Sequence, residues 1–250
     1  MAHSHGHCHN SNSIRMNPPI VQSSAAVTLA GGGALPVRDL KLALARAPMA
    51  VAADSGADRL LAAGVMPDAV LGDFDSISAA AQAAIPAGRM HPTPEQDRSD
   101  FDKALQAIEA PLILAVGFTG ARLDHGLAVM NALARLPHRR CIVIGPKDIA
   151  FAAPPRLSLR LRPGDPLSLF PLARVAAASE GLHWPLDGLD FAPWGMIGTS
   201  NRVTAARVEL SFDRPGMLAI LPRARLDRAI TALLAAEAWS GPYAQAARGG

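Results

Sequence analysis

This sequence predicts an α/β fold: a mostly parallel sheet with helices on both faces, followed by a smaller all-β sandwich domain. Three features predict it. Between residues 25 and 145 short apolar runs alternate with segments of helical period; after Gly145, prolines punctuate a series of short runs; and acids stand where apolar runs of the first half end. Strand–helix alternation builds parallel sheets through crossovers, whereas short strands between Gly and Pro turns build antiparallel ones.

Size and composition are compatible with this. The chain has 250 residues, half of them hydrophobic, enough for one large core or two modest ones. Its net charge of +3 comes from scattered arginines, and only 4% of residues are aromatic. That leaves little to stack bases on, so no nucleic-acid partner is expected. No apolar run approaches the roughly 20 residues of a membrane helix. Cys8 lies in the leader and Cys141 in an apolar run, so a buried thiol, no disulfide framework and a reducing cytoplasm are expected. Residues 1–17, with His3, His5, His7 and His9, read as a tag or disordered leader outside the fold.

Taken in order, 25–30 is a strand leading into Gly31-Gly32-Gly33. Leu40, Ala43, Leu44 and Ala47 fall at i, i+3, i+4 and i+7, a helix with Pro36 in its first turn. Residues 49–53 are a second strand; a short helix carrying Leu60 and Leu61 stops at Gly64, with Pro67 beyond. Residues 68–72 are the third strand, 78–84 a small helix and 89–91 a brief strand before Pro92 and Pro94. Ser99 and Asp102 form a capping pair for a helix whose stripe is Phe101, Leu105 and Ile108. A strand at 111–116, a helix at 122–135 and a strand at 141–145 complete a Rossmann-like succession, in which ligands gather at the carboxyl ends of the strands. Beyond it, 157–161, 167–170, 203–212 and 217–221 read as antiparallel strands, and 226–239 as a closing helix. The expected division is a leader (1–17), an α/β domain (18–148), a β-sandwich domain (149–223) and a C-terminal helix with its tail (224–250).

Four clusters carry candidate chemistry. Gly72-Asp73-Phe74-Asp75-Ser76 ends the third strand with two acids close together; their repulsion is relieved by a hard divalent cation such as Mg²⁺. Asp54-Ser55-Gly56 opens a helix, where an anion binds or an Asp simply caps. In Gln96-Asp97-Arg98-Ser99-Asp100, Asp97 and Asp100 face the same ion, and Lys103 reaches a phosphate; alternatively these are acids at the positive end of a well-capped helix. Gly117 to His125 follows a strand, its glycines admitting a phosphate, Arg122 pairing with phosphate oxygens and Asp124 orienting Arg122 or binding metal through water. His125 reads as a base or as an ordinary helix-face histidine. The set suits a nucleoside triphosphate with metal, although neither a P-loop nor a G-x-G-x-x-G fingerprint is present.

These motifs, in this order, resemble the thiamine pyrophosphokinase family over roughly residues 25–221. To the four clusters the resemblance adds Asn131, then Gly181-Leu182-His183-Trp184-Pro185-Leu186 and Gly198-Thr199-Ser200-Asn201 in the β-rich part. It implies an α/β catalytic domain, a β-sandwich domain that binds thiamine and dimerises, and a homodimer with active sites between subunits. It also implies an enzyme that moves the diphosphoryl group of ATP to the hydroxyl of thiamine and leaves AMP. By the resemblance Asp73, Asp75 and Asp100 are the catalytic and metal-binding acids, with Asp97 as a further ligand and Asp54 close by. Gln96, Ser200 and Asn201 contact thiamine, the last two across the dimer; Asp54, Arg122, Asp124 and Lys103 serve ATP and its phosphates. The family's usual Gly-Gly-Arg is here Gly120-Ala121-Arg122, a stiffer loop. Trp184 and Trp194 are each open to stacking on thiamine or to core packing, and the proton acceptor is Asp73 or Asp100. The competing expectations are a pyrophosphokinase acting on a pterin alcohol and a non-catalytic nucleotide- or thiamine-binding regulator.

Overall fold

The computed structural model describes residues 19–93, 98–120 and 122–240. Its first half runs β1 (Val21–Gln22), β2 (Val27–Ala30), α1 (Val37–Leu44), β3 (Met49–Ala53), α2 (Gly56–Ala62), β4 (Ala69–Gly72), α3 (Ala79–Ala84) and β5 (Met90–Pro92). There follow α4 (Asp100–Ala107), β6 (Ile108–Glu109), β7 (Ile113–Val116), α5 (Leu123–Arg135), β8 (Cys141–Ile144) and β9 (Asp148–Ala152). The β-rich part holds β10 (Arg156–Arg160), β11 (Pro166–Pro171), β12 (Val175–Glu180), β13 (Asp190–Phe191), β14 (Gly198–Arg202), β15 (Arg207–Phe212) and β16 (Met217–Pro222). Helix α6 (Leu226–Ala235) closes it.

One sheet dominates, ordered β14-β11-β16-β9-β8-β7-β2-β3-β4-β5. The run from β8 to β5 is parallel throughout, and the direction of winding reverses between β2 and β7. Strand alternation assigns the two faces. Ala30, Ala52, Val70, Leu114 and Ile142 pack with Leu40 of α1, Leu60 of α2 and Ala81 of α3. Leu29, Val51, Leu71, Ala115 and Val143 pack with Phe101 and Leu105 of α4 and Leu133 of α5. Helices therefore cover both faces. Ser78 and Ser99 accept from the amides of Ala81 and Asp102 (3.1 and 3.3 Å), and so cap α3 and α4. Cys141 is buried, and its apolar surroundings push the thiol pKa up. Among the described residues no helix is long and apolar enough to cross a membrane.

The predicted junction between two halves is itself a strand. β9 pairs antiparallel with β8 (Ile142 opposite Phe151) and with β16, so the sheet continues through it into β11 and β14. The β-rich part is thus not a free-standing sandwich. One of its layers is the antiparallel end of the ten-stranded sheet; the other is the four-stranded sheet β10-β15-β12-β13. Extending the sheet pairs the open edge of β8 and lets one apolar core run from α1 to Phe212. Two further differences are local. Pro36 stands at the N-cap of α1, its carbonyl accepting from Asp39 and Leu40. Helix α6 ends at Ala235, and the chain turns so that Trp239 is buried, donating from Nε1 to the carbonyl of Ala153 at 2.9 Å.

Candidate active site

Three carboxylates meet at the carboxyl ends of β3 and β4. One carboxylate oxygen from each of Asp54, Asp73 and Asp75 lies within 4.8 Å of the other two. Sequence reasoning put Asp54 with the phosphates and close by the metal-binding acids; in the fold it is the buried member of the acid cluster. Its amide donates to Leu71 at 2.8 Å, which carries the β3–β4 pairing one residue beyond the strand, and its backbone is left-handed at φ 47°. Gly72 lets this happen: a Cβ there would stand 3.1 Å from that of Asp54. Asp73 and Asp75 come together through a turn instead of through strand alternation. β4 stops at Gly72, Phe74 takes φ 67°, and the Asp75 amide donates to Asp73 Oδ1 at 3.3 Å.

Asp54 is 3% exposed. Ser76 Oγ donates to its Oδ2 at 2.5 Å, while Oδ1 is buried with no hydrogen-bond partner. Burial raises its pKa; the Ser76 hydrogen bond opposes this, and the charges of Asp100, Asp73 and Asp75 push it further up. Asp73 is held below the usual carboxylate range, first by the Asp75 amide and then, against some desolvation, by the nearby Lys103 ammonium. A buried acceptor without a donor, on a side chain beside two more carboxylates, is a costly arrangement. An oxygen-coordinated divalent cation satisfies all three at once, so the donor set fits such an ion. Ser76, for which sequence reasoning offered no role, binds one oxygen of Asp54 and leaves the other without a partner; its place three residues after Asp73 was the available signal.

Asp100 begins α4 and belongs to the edge of this cluster. Lys103, one turn on, lies 3.3 Å from Asp100 Oδ1 and 3.5 Å from Asp73 Oδ2, with its side chain 4% exposed. Burial pulls the lysine pKa down, and the charges of Asp100 and Asp73 more than reverse this. In this structure the Lys103 ammonium, expected at a phosphate, is paired with two carboxylates. Gln96 and Asp97 lie outside the described residues.

The Gly-Arg loop follows β7. Gly117 at φ 78° accepts from the amide of Gly33 at 3.0 Å, so the turns after β2 and β7 meet where the winding reverses. Arg122 grips Asp124 with two hydrogen bonds, Nε to Oδ1 at 3.1 Å and Nη2 to Oδ2 at 2.6 Å. That clasp lowers the Asp124 pKa to about 2. Both side chains are exposed, as is His125, on the first turn of α5. This loop follows a strand three places from β4, and its Phe118 packs edge-on against Phe101 of α4, with ring centroids 4.8 Å apart.

The predicted thiamine loop is at the far edge. Ser200 sits on β14 at an irregularity in its pairing with β11, at φ 61°, its amide donating to Ser168 Oγ at 2.9 Å. Asn201 is 4% exposed, and its amide braces Trp184: Nδ2 donates to the Trp184 carbonyl at 2.7 Å, and Oδ1 accepts from the Trp184 amide at 3.2 Å. These bonds hold the Trp184 turn. Trp184 is 52% and Trp194 79% exposed, so core packing is ruled out for both in this chain. Asp54, Phe74 and Ser200 are the left-handed non-glycine residues among those described, and left-handed backbone of this kind collects at functional sites. Eight strand spacings separate β14 from β4, roughly 30–40 Å across a twisted sheet.

Comparison with known proteins accords with this layout. Residues 40–144 match the family model "Thiamin pyrophosphokinase, catalytic domain", and residues 156–217 match "Thiamin pyrophosphokinase, vitamin B1 binding domain". Thiamine pyrophosphokinase 1 of Arabidopsis thaliana is 27% identical over 166 residues, 59% of this chain and 62% of that protein. Thiamine pyrophosphokinase 3 of rice is 26% identical over 156 residues, 55% of this chain and 58% of its own length. The chain thus spans somewhat under two thirds of these relatives. Among solved structures, a Lactobacillus plantarum protein has TM-score 0.66 at 27% identity, covering 79% of this chain and 98% of its own. The fold is also that of the thiamin pyrophosphokinase of Geobacillus thermodenitrificans, with TM-score 0.64 at 24% identity and coverage of 79% and 96%. The two family models together match more than half of the chain, and the chain belongs to the thiamin pyrophosphokinase family.

Proposed function

We propose that this chain is a thiamine diphosphokinase, an ATP-dependent diphosphotransferase. The hydroxyl oxygen of thiamine attacks the β-phosphorus of ATP; a new O–P bond forms, the bridge between the α- and β-phosphorus breaks, and AMP leaves with that oxygen. The observation that carries this reading is the orphaned Oδ1 of Asp54 beside Asp73 and Asp75, at the strand ends of a chain from this family. Asp54, Asp73 and Asp75 would hold Mg²⁺, with Asp100 adjoining and Asp97 as a further candidate. When bound, that ion neutralises charge on the phosphates and aligns the reacting groups. Asp73 or Asp100 accepts the hydroxyl proton. Arg122, freed from Asp124, pairs with phosphate oxygens, and the turn around Gly117 admits the nucleotide. Positioning and fixed charge then supply most of the rate.

The active enzyme is a homodimer on this reading. Ser200 and the Trp184 turn lie too far from the acids to act on the same thiamine in one chain, so a second copy brings its β14 edge to the first copy's β4 end. Exposed Trp194, Met196 and Ile197 beside β14 supply an apolar contact for that meeting. The work divides accordingly: residues 18–148 handle ATP and metal, with Gln96 reaching thiamine, and residues 149–223 bind thiamine from the partner side. Cytoplasmic placement accords with the free, buried Cys141. The test is incubation with ATP, Mg²⁺ and thiamine while AMP and thiamine diphosphate are followed. AMP formed with a pterin alcohol but not with thiamine, or binding of thiamine without turnover, would replace this reading.

A further inference from the structure

We propose that Lys103 is a positioning residue of the metal site and not a phosphate ligand: its ammonium clamps Asp73 to Asp100, fixing the spacing of acids that come from two separate elements. The inference rests on reading the acids as a metal site. Asp73 stands on the turn after β4 and Asp100 on the first turn of α4, and Lys103 Nζ lies 3.5 Å from one and 3.3 Å from the other. Among the described residues these are the ion pairs that join the two elements. The lysine stem runs on the inner side of α4, whose neighbours Phe101, Ala104 and Leu105 are buried against the sheet. Its side chain is 4% exposed, whereas Asp100 is 47% and Asp73 29% exposed. The carboxylates therefore stand between the ammonium and solvent, and a phosphate arriving from the cleft meets them first. An ammonium is retained at such depth only when paired, so the clamp is a built feature of the fold.

Charge and geometry make opposite demands here, which gives the test its sign. Removing Lys103 makes the site more negative, and charge counting alone predicts tighter binding of a divalent cation. A clamp predicts weaker binding, because Asp73 is released from Asp100. Outer-shell substitutions of this kind typically cost about 10–100-fold in metal affinity. Mn²⁺ binding to the nucleotide-free protein is measured by electron paramagnetic resonance, and metal-free ATP binding by calorimetry. Lys103→Met is expected to weaken Mn²⁺ binding by about tenfold or more while leaving metal-free ATP binding unchanged, with Lys103→Arg falling between it and the native protein. Unchanged or tighter Mn²⁺ binding in folded Lys103→Met overturns the proposal, as does a fall in metal-free ATP affinity alone. Should the Met variant unfold, Lys103→Gln is judged by the same criterion. Absence of Mn²⁺ binding in the native protein would remove the metal reading itself, and with it the clamp.

Discussion

Mixed dimers test the proposal that each active site is shared between two chains. Asp73→Asn disables the β4 end and Ser200→Arg, at an exposed position, blocks the β14 end. Each homodimer carries its defect in both sites, and loss of a transition-state charge stabiliser costs about 10²–10³ in kcat. In a mixed dimer with two-fold symmetry, one site collects both defects. The other pairs an intact Asp73 with an intact Ser200. Co-expression with two different affinity tags and sequential purification isolates the mixed species, whose activity is expected at about half that of the native dimer. The magnitude follows from the sheet: eight strand spacings separate β14 from β4, roughly 30–40 Å, so no intramolecular arrangement unites the two ends. Activity of the mixed species no greater than that of the two homodimers would refute the reasoning, and so would a native enzyme that is active as a monomer.

Other perturbations follow from single residues. Asp54→Asn keeps a residue that tolerates the left-handed φ of 47° and removes a buried charge. At neutral pH its metal-free melting temperature should equal or exceed the native value. The sign follows from linkage: a carboxyl whose folded pKa is raised loses its stabilising contribution as pH rises through that pKa. The Mg²⁺-induced rise in melting temperature should vanish in the same variant, and a preserved rise would exclude Asp54 from the metal site. Gly72→Ala places a Cβ 3.1 Å from that of Asp54; urea denaturation should show a loss of about 1–3 kcal/mol, with turnover falling at least tenfold. The Asp124 carboxyl should titrate near pH 2 by carbon NMR, because the Arg122 hydrogen bonds favour its charged form. That pairing is complete above the ordinary carboxylate pKa and lost as pH falls through about 2; Arg122→Gln should return the midpoint to the ordinary range.

Much of the α/β part is legible from local pattern. The apolar runs of β3, β4 and β8 are short, continuous and bounded by turns, and Ser99 and Ser78 mark helix starts by their capping geometry. The β-rich part is less so. β12 (Val-Ala-Ala-Ala-Ser-Glu) has a single large apolar residue and β14 (Gly-Thr-Ser-Asn-Arg) none, and only pairing with neighbours makes them strands. β9 lies where a boundary was expected because the open edge of β8, which no local pattern reveals, recruits it. The helix expected over 226–239 carries a continuous apolar period, yet Trp239 gains more by turning back to bond the Ala153 carbonyl.

Sequence by itself determined the chemistry on offer: which acids, which arginine and which Ser-Asn pair, in an order that few families share. Tertiary structure decided their company. It placed Asp54 with Asp73 and Asp75, aimed Lys103 at carboxylates, turned the Asn201 amide to Trp184, and set Ser200 at the opposite edge of the sheet. The physical reason is that residue type follows from the chain one position at a time. Desolvation, hydrogen-bond partnering and the distance between charges depend on which strand ends lie side by side, and pairings between residues far apart in sequence fix that.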